Sequence, residues 1–308
     1  MTENPQLMYV AGRIVPEAEA TVSALDAGLL LGAGLFETLR TYGGRPFRLA
    51  RHMARLRSSG QFFRIFVRES DDEIAAVIAR LLEANGLPDA RIRITATRGP
   101  VTEGLSDDEA PQATLLVTAG GQVSYPPELY ERGATAVVSD IRINESDPLV
   151  FHKTTNYMSN LLAIRDAHSG GATEALRFNT RNRLAEGAIS NVFLVSAGRL
   201  LTPPVEDGLL AGITREAVLE VAAEIGVPAE QRSLTVDDML GADEVFLTNS
   251  IMEVMPVVQI EKHEVGPKGD PDPFGKLRAG ACGRPGPIAR RLAEAYKALV
   301  ARETPDPR

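Results

Sequence analysis

The chain has 308 residues, 44% of them hydrophobic and 24% charged, with a formal net charge of -8. It is long enough for two compact domains, has no apolar run near the ~20 residues of a membrane span, and lacks the basic excess that nucleic-acid binding requires. Its one cysteine, Cys282, excludes an intrachain disulfide and a four-thiolate metal site, and His52, His152, His168 and His263 show no paired ligand spacing, so no metal is expected.

The segment Met1-Thr2-Glu3-Asn4-Pro5 has neither a basic stretch nor the apolar h-region of a signal peptide, which makes a cytoplasmic protein the expectation. Leu7 to Ile14 reads as a strand pair turning through Gly12, and Leu35 to Tyr42 as a strand ended by Gly43-Gly44. A helix follows from Leu49 to Ser59. Its Arg48, Arg51 and Arg57 are expected on a solvated face. Ser70-Asp71-Asp72-Glu73 has capping-box spacing ahead of Ile74, Val77, Ile78, Leu81 and Leu82, with Gly86 as the stop, which predicts a helix from Asp71 to Asn85. Arg91 to Thr97 alternates with period two and Ala113 to Ala119 is short, apolar and β-branched, so both read as strands.

Residues 120–127, Gly120-Gly121-Gln122-Val123-Ser124-Tyr125-Pro126-Pro127, are rich in breakers and are taken as the linker between domains at 1–119 and 128–308. The second part mixes expected strands (Ala134 to Ile141, Glu174 to Phe178, Asn191 to Val195, Glu244 to Thr248, Val257 to Ile260) with expected helices (Asn156 to Ala167, Arg215 to Ile225, Pro287 to Ala301). Gly266 to Pro287 reads as an irregular loop.

Three segments carry chemistry. In Phe151-His152-Lys153-Thr154-Thr155-Asn156-Tyr157 a single lysine lies between a strand region and a helix start. Alone, it reads as a solvated surface amine; set among Phe151, Thr154 and Thr155 it reads as a nucleophile. Leu184-Ala185-Glu186-Gly187-Ala188-Ile189-Ser190-Asn191-Val192-Phe193 is followed by Leu200-Leu201-Thr202 and by Leu210-Ala211-Gly212-Ile213-Thr214-Arg215. Gly212-Ile213-Thr214 opens a helix whose first N–H groups suit a phosphate, with simple capping by Thr214 as the alternative. The third segment is His52-Met53-Ala54-Arg55-Leu56.

The middle segment resembles, position for position over thirty residues, the signature of the class IV aminotransferases. The resemblance implies a mixed α/β fold of fold type IV: two α/β domains with pyridoxal 5'-phosphate in the cleft between them, paired as a homodimer whose partner loop closes the site. Lys153 is then the catalytic residue, holding the cofactor as a Schiff base and carrying the α-proton. Glu186 is the carboxylate at the pyridine nitrogen, or otherwise a surface acid. Ile213, Thr214 and Arg55 hold the phosphate, Asn249 and Ser250 form the last cofactor turn, and Tyr157 reaches the 3'-oxygen. Leu25-Asp26-Ala27-Gly28 and the strand bearing Phe36 and Thr38 are matched to the substrate pocket, with ordinary core packing as the alternative.

The implied reaction is a ping-pong transfer of an amino group from a small-molecule donor, a branched-chain L- or a D-amino acid, to a 2-oxo acid. The family also holds (R)-amine aminotransferases and 4-amino-4-deoxychorismate lyase. The short Lys153 loop, Thr97-Arg98-Gly99 and Asn249-Ser250-Ile251-Met252 resemble the D-amino acid and lyase branches, the last of them nearest the lyase. Val101-Thr102-Glu103-Gly104-Leu105, however, stands where the D-amino acid branch carries its Arg-x-His carboxylate trap. Carboxylate recognition is therefore expected at Arg98, Arg40 or the backbone around Ser250, with a structural ion pair as the alternative for Arg98.

Overall fold

The computed structural model describes residues 6–101, 112–121, 125–266 and 283–305. Thr102 to Leu105, Gln122 to Ser124 of the expected linker and most of the Gly266 to Pro287 loop lie outside these residues. The chain forms two compact units: one from Met1–Val123, His152–Tyr157 and Val300–Arg308, the other from Ser124–Phe151 and Met158–Leu299.

The first unit is a six-stranded antiparallel sheet backed by helices. Its elements are β1 (Leu7–Val10), β2 (Arg13–Pro16), α1 (Ala27–Leu31), β3 (Gly34–Tyr42), β4 (Arg45–Pro46), α2 (Leu49–Phe63), α3 (Asp71–Asn85), β5 (Ala90–Thr97) and β6 (Thr114–Gly121). The strand order is β2-β1-β6-β5-β3-β4. Leu35, Leu39, Ile92, Ile94 and Val117 turn to one face and pack with Met53, Leu56, Ile74, Ile78 and Leu81 of the helices. Strand alternation sends Phe36, Thr38 and Arg40 to the other face. The pairing of Phe36 with Thr95 and Thr38 with Arg93 adds Arg93 and Thr95 to that face.

α3 starts and stops where expected: Ser70 and Glu73 form the reciprocal capping box and Gly86 closes the helix in the left-handed region. α2 runs a turn beyond Ser59, because Gly60 leaves room for the Ile65 carbonyl to approach where a Cβ would overlap it. Arg48 is not solvated: its side chain is 7% exposed and its Nη2 lies 3.0 Å from Glu303. Arg57 pairs with Asp71. Asp26 is fully buried, capping α1 through Gly28 N–H and accepting the hydroxyls of Thr97 and Thr114. The Leu25 to Gly28 segment therefore fastens α1 to the sheet.

β4 pairs only with Thr41 and Tyr42, so the Gly34 end of β3 keeps an open edge. Lys153 to Thr155 dock there: Phe36 N–H donates to Lys153 O at 2.9 Å and Thr155 N–H to Gly34 O at 2.8 Å.

The second unit contains α4 (Pro127–Arg132), β7 (Ala134–Val138), α5 (Met158–Ser169), β8 (Glu174–Phe178), β9 (Leu184–Gly187), β10 (Asn191–Ser196), β11 (Arg199–Thr202), α6 (Ile213–Glu224), β12 (Ala229–Gln231), α7 (Val236–Leu240), β13 (Glu244–Asn249), β14 (Glu253–Ile260), β15 (His263–Glu264) and most of α8 (Pro287–Glu303). Nine strands form one sheet in the order β12-β11-β10-β13-β14-β7-β8-β9, with β15 on β14. Its core includes Leu176, Val192, Leu194, Val245, Leu247 and Met255.

Most departures from the expected bounds have local causes. α5 begins at Met158, two residues late, because Tyr157 N–H turns back to Thr155 O and the Asn156 amide donates to Gly32 O. β7 stops at Val138, where the Ser139 hydroxyl takes Ile141 N–H in a turn. β14 starts four residues early, at Glu253. There the Asn249 side chain accepts the N–H groups of Ile251 and Met252 and tightens the hairpin.

Candidate active site

The candidate side chains gather in one cluster per unit. In the first, Lys153 is half-buried, its Nζ 4.6 Å from the centroid of the Phe36 ring and 5.8 Å from that of Tyr157. The two rings meet edge to face at 5.3 Å. Arg93 places its Cζ 3.8 Å from the same Phe36 centroid, and its Nε donates to Thr95 Oγ1 at 3.2 Å. The Lys153 amine and the Arg93 guanidinium thus both lie against one aromatic ring.

On the helix-facing side of β3, Glu37 occupies a core position between Leu35 and Leu39 and is 1% exposed. Arg55 donates to it twice, Nε at 2.8 Å and Nη2 at 2.6 Å, and His52 Nδ1 lies 2.7 Å from Oε2. A carboxylate only accepts, so His52 carries its proton on Nδ1. Burial alone would raise the Glu37 carboxyl. The Arg55 charge and the His52 and Arg55 hydrogen bonds outweigh burial and bring it down to about 2. Burial depresses the His52 imidazole from its ordinary value, the Glu37 bond notwithstanding.

Of the other candidates, Thr38 lies opposite Arg93 in the sheet and Arg40 stacks its guanidinium 4.6 Å from the Tyr42 ring centroid. Arg98 continues from β5 with its N–H on Ala33 O. Glu103 falls outside the described residues.

The second cluster lies at the ends of β9, β10 and β13 and the start of α6. Glu186, half-buried, accepts Leu210 N–H at 3.0 Å and the Asn191 amide at 3.4 Å through Oε2, and Asn191 also donates to Leu210 O at 2.8 Å. Asn191 thus ties Glu186 to the segment leading into α6. Gly212 is obligatory there, since a Cβ would overlap Asn191 Oδ1. α6 starts with Gly212 as N-cap and no side-chain cap, while Ile213 and Thr214 are 7% and 4% exposed. A buried helix start without a cap leaves N–H groups for an anion. Asn249 spends its side chain internally, accepting from Ile251 and Met252 and donating to Ile189 O, which leaves the half-buried Ser250 at the apex of the turn.

Sequence reasoning missed Glu37, His52, Arg93 and Glu174. A charge at an inward position of a period-two strand was a readable sign for Glu37. Arg93 needed the register between β3 and β5, which no local pattern supplies.

A family model described as amino-transferase class IV matches residues 34–260. A putative branched-chain-amino-acid aminotransferase of Methanocaldococcus jannaschii is 35% identical over 85% of this chain and 90% of its own. An aminodeoxychorismate lyase of Bacillus subtilis is 31% identical over 84% of this chain and 88% of its own. The crystal structure of the Escherichia coli branched-chain amino acid aminotransferase superposes with a TM-score of 0.87 at 29% identity, covering 98% of this chain and 97% of the other.

Proposed function

The chain belongs to the class IV amino-transferase family, whose members depend on pyridoxal phosphate, and from that premise we propose that it moves the amino group of a branched-chain-type L-amino acid to a 2-oxo acid. The observation that carries this choice is the aromatic corner of Phe36 and Tyr157 beside the Lys153 amine, a wall suited to an apolar donor side chain. Its resemblance to aminotransferases named for branched-chain substrates supports the same choice.

The residues present fit the cofactor: an amine at Lys153, a carboxylate at Glu186, and a buried, uncapped helix start at Ile213 and Thr214 for a phosphate. Arg55 and Ser250 are assigned to the phosphate as well, Asn249 to shaping the turn that carries Ser250, and Tyr157 to the ring hydroxyl. When bound, pyridoxal phosphate supplies a ring that accepts electrons from the donor's α-carbon. Lys153 Nζ would anchor the cofactor and, once displaced by the donor amine, would take the proton lost from the donor's α-carbon. Glu186 holds a proton on the ring nitrogen. Arg93, exposed at the Phe36 face, receives the substrate carboxylate. Thr38 lines the same face, and Arg40 and Arg98 lie farther along the two strands.

A homodimer is proposed on the exposed face of α1, where Leu29, Leu30 and Leu31 are 70%, 54% and 54% exposed. We take a second copy of this chain as the occupant.

Incubating the loaded enzyme with L-leucine and 2-oxoglutarate tests the substrate: glutamate forms with L-leucine and not with D-alanine. Pyruvate released from aminodeoxychorismate without an acceptor would establish the lyase reading instead, which the likeness to the Bacillus subtilis enzyme favours.

A further inference from the structure

The four residues between Glu186 and Asn191 are held by polar groups from several elements. Gly187 N–H closes the turn on Ser190 O at 2.7 Å. Asn160 of α5 donates to Ala188 O at 2.7 Å, and Asn249 donates to Ile189 O at 3.1 Å. The centre of the grip is Glu174, at the start of β8 and 1% exposed. Its Oε1 accepts Ala175 N–H at 2.9 Å and Ala188 N–H at 3.1 Å; its Oε2 accepts the Ser190 hydroxyl at 2.8 Å and Ile189 N–H at 3.4 Å. The packing is close enough that a Cβ on Gly187 would overlap Ser190 Oγ and stand 3.1 Å from Glu174 Cδ.

Every one of these partners is neutral. Burial pushes the Glu174 carboxyl up to about 7, with the hydrogen bonds opposing it. A buried carboxyl held only by neutral donors is a costly way to gain stability. Glu174 does hold one thing that an apolar residue would release: the backbone on which Glu186 and Asn191 are mounted, two residues whose side chains meet at Leu210.

We propose that Glu174 is a positioning residue for the transamination, clamping the 187–190 turn so that Glu186 presents its carboxylate to the cofactor's ring nitrogen in one fixed orientation. The proposal rests on the reading of Glu186 given above. Glu174 acts through Glu186 and touches neither cofactor nor substrate. Gln at 174 keeps an acceptor for Ala175 and Ala188 but turns an amide toward Ile189 N–H, so it preserves part of the clamp.

A double-mutant cycle tests this, with the dissociation constant for pyridoxal phosphate measured on the apoprotein by equilibrium dialysis, and kcat and KM for L-leucine measured on the loaded enzyme. E186Q and E174A are each expected to weaken cofactor binding and lower kcat about tenfold or more, with E174Q between E174A and wild type and KM for the donor nearly constant. In the E186Q background, E174A is expected to change either quantity by less than about twofold. S190A, which removes a partner of the same carboxylate without disturbing the strand, gives a smaller effect with the same dependence on Glu186 and serves if E174A does not fold. An E174A or S190A effect as large in the E186Q background as in wild type overturns the positioning role. E186Q with wild-type cofactor affinity and kcat overturns the reading of Glu186, and the clamp with it.

Discussion

Arg55 and Glu37 meet as a fork, the guanidinium Nε and Nη2 resting on the two carboxylate oxygens at 2.8 and 2.6 Å with His52 completing the set. Glu37 lies within the core of the first unit, so the pair orients Arg55 from behind. The folded carboxyl, brought from 4.5 to about 2, contributes about 3 kcal/mol that is present above about pH 4.5 and lost as pH falls through about 2. His52, depressed by burial, acts in the same direction: its contribution is present above its ordinary value of 6.5 and fades as pH falls. Glu37→Gln is expected to lower stability near neutral pH and flatten the acid limb of the curve. Urea denaturation at pH 7, 5 and 3 measures both, and an unchanged slope between pH 5 and 3 would refute the assignment.

At Lys153 the expected loss is chemical. Lys153→Ala removes both the anchor and the proton carrier, so kcat falls by at least about a thousandfold, and borohydride no longer fixes pyridoxal phosphate to the peptide containing residue 153. Peptide mass mapping reads the second effect directly. Borohydride labelling of the unaltered chain at a lysine other than Lys153, or a variant that keeps its kcat, would remove Lys153 from its assigned role.

The start of α6 separates phosphate binding from simple capping. If Thr214 serves an anion together with the first N–H groups of the helix, Thr214→Ala weakens pyridoxal phosphate about tenfold and leaves pyridoxal, which has no phosphate, nearly unaffected. Equal weakening of both ligands in a fluorescence titration would instead make Thr214 a structural residue.

Elements with a strong local code were legible. The capping box at Ser70 and Glu73, the period-two run from Arg91 to Thr97 and the Gly212 helix start each define themselves within a few residues, and the structure has all three. Short elements such as α1, α4 and α7, of five, six and five residues, offer too little periodicity to register. The membership of His152–Tyr157 in the first unit had no sequence signature either. It depends on the open edge of β3 meeting Lys153 O and Thr155 N–H across more than a hundred residues. The linear motif brought Glu186, Ile213, Thr214 and Asn249 to notice, whereas the support that Glu174 gives became intelligible only once β8 and β9 were aligned.

The α1 surface gives a prediction about assembly. Leu29 and Leu30 are 70% and 54% exposed, and replacing both by Ser removes apolar surface that a second copy would cover. Sedimentation velocity is expected to show a dimer for the unaltered chain and a shift toward monomer for the double variant. A monomer in both cases, at tens of micromolar, would sink the homodimer.

Carboxylate recognition turns on which arginine faces the amine. Arg93 shares the Phe36 ring with Lys153, at 3.8 and 4.6 Å from its centroid, and it projects from the β5 face that Phe36 and Thr38 also occupy. Arg40 is stacked on Tyr42, two residues beyond Thr38. A guanidinium bound to the substrate in both ground and transition states affects KM more than kcat. Arg93→Ala is therefore expected to raise KM for L-leucine by roughly 10- to 100-fold, the value of a charge-assisted hydrogen bond, with kcat changed less than about threefold. Arg93→Lys recovers part of the loss, because the charge returns without the planar fork. Arg40→Ala and Arg98→Ala serve as comparisons and should move KM by less than about threefold. Steady-state kinetics of the four variants decide the matter: if Arg98→Ala carries the KM increase and Arg93→Ala does not, the carboxylate belongs to Arg98, and Arg93 is only the cation that covers the Phe36 ring.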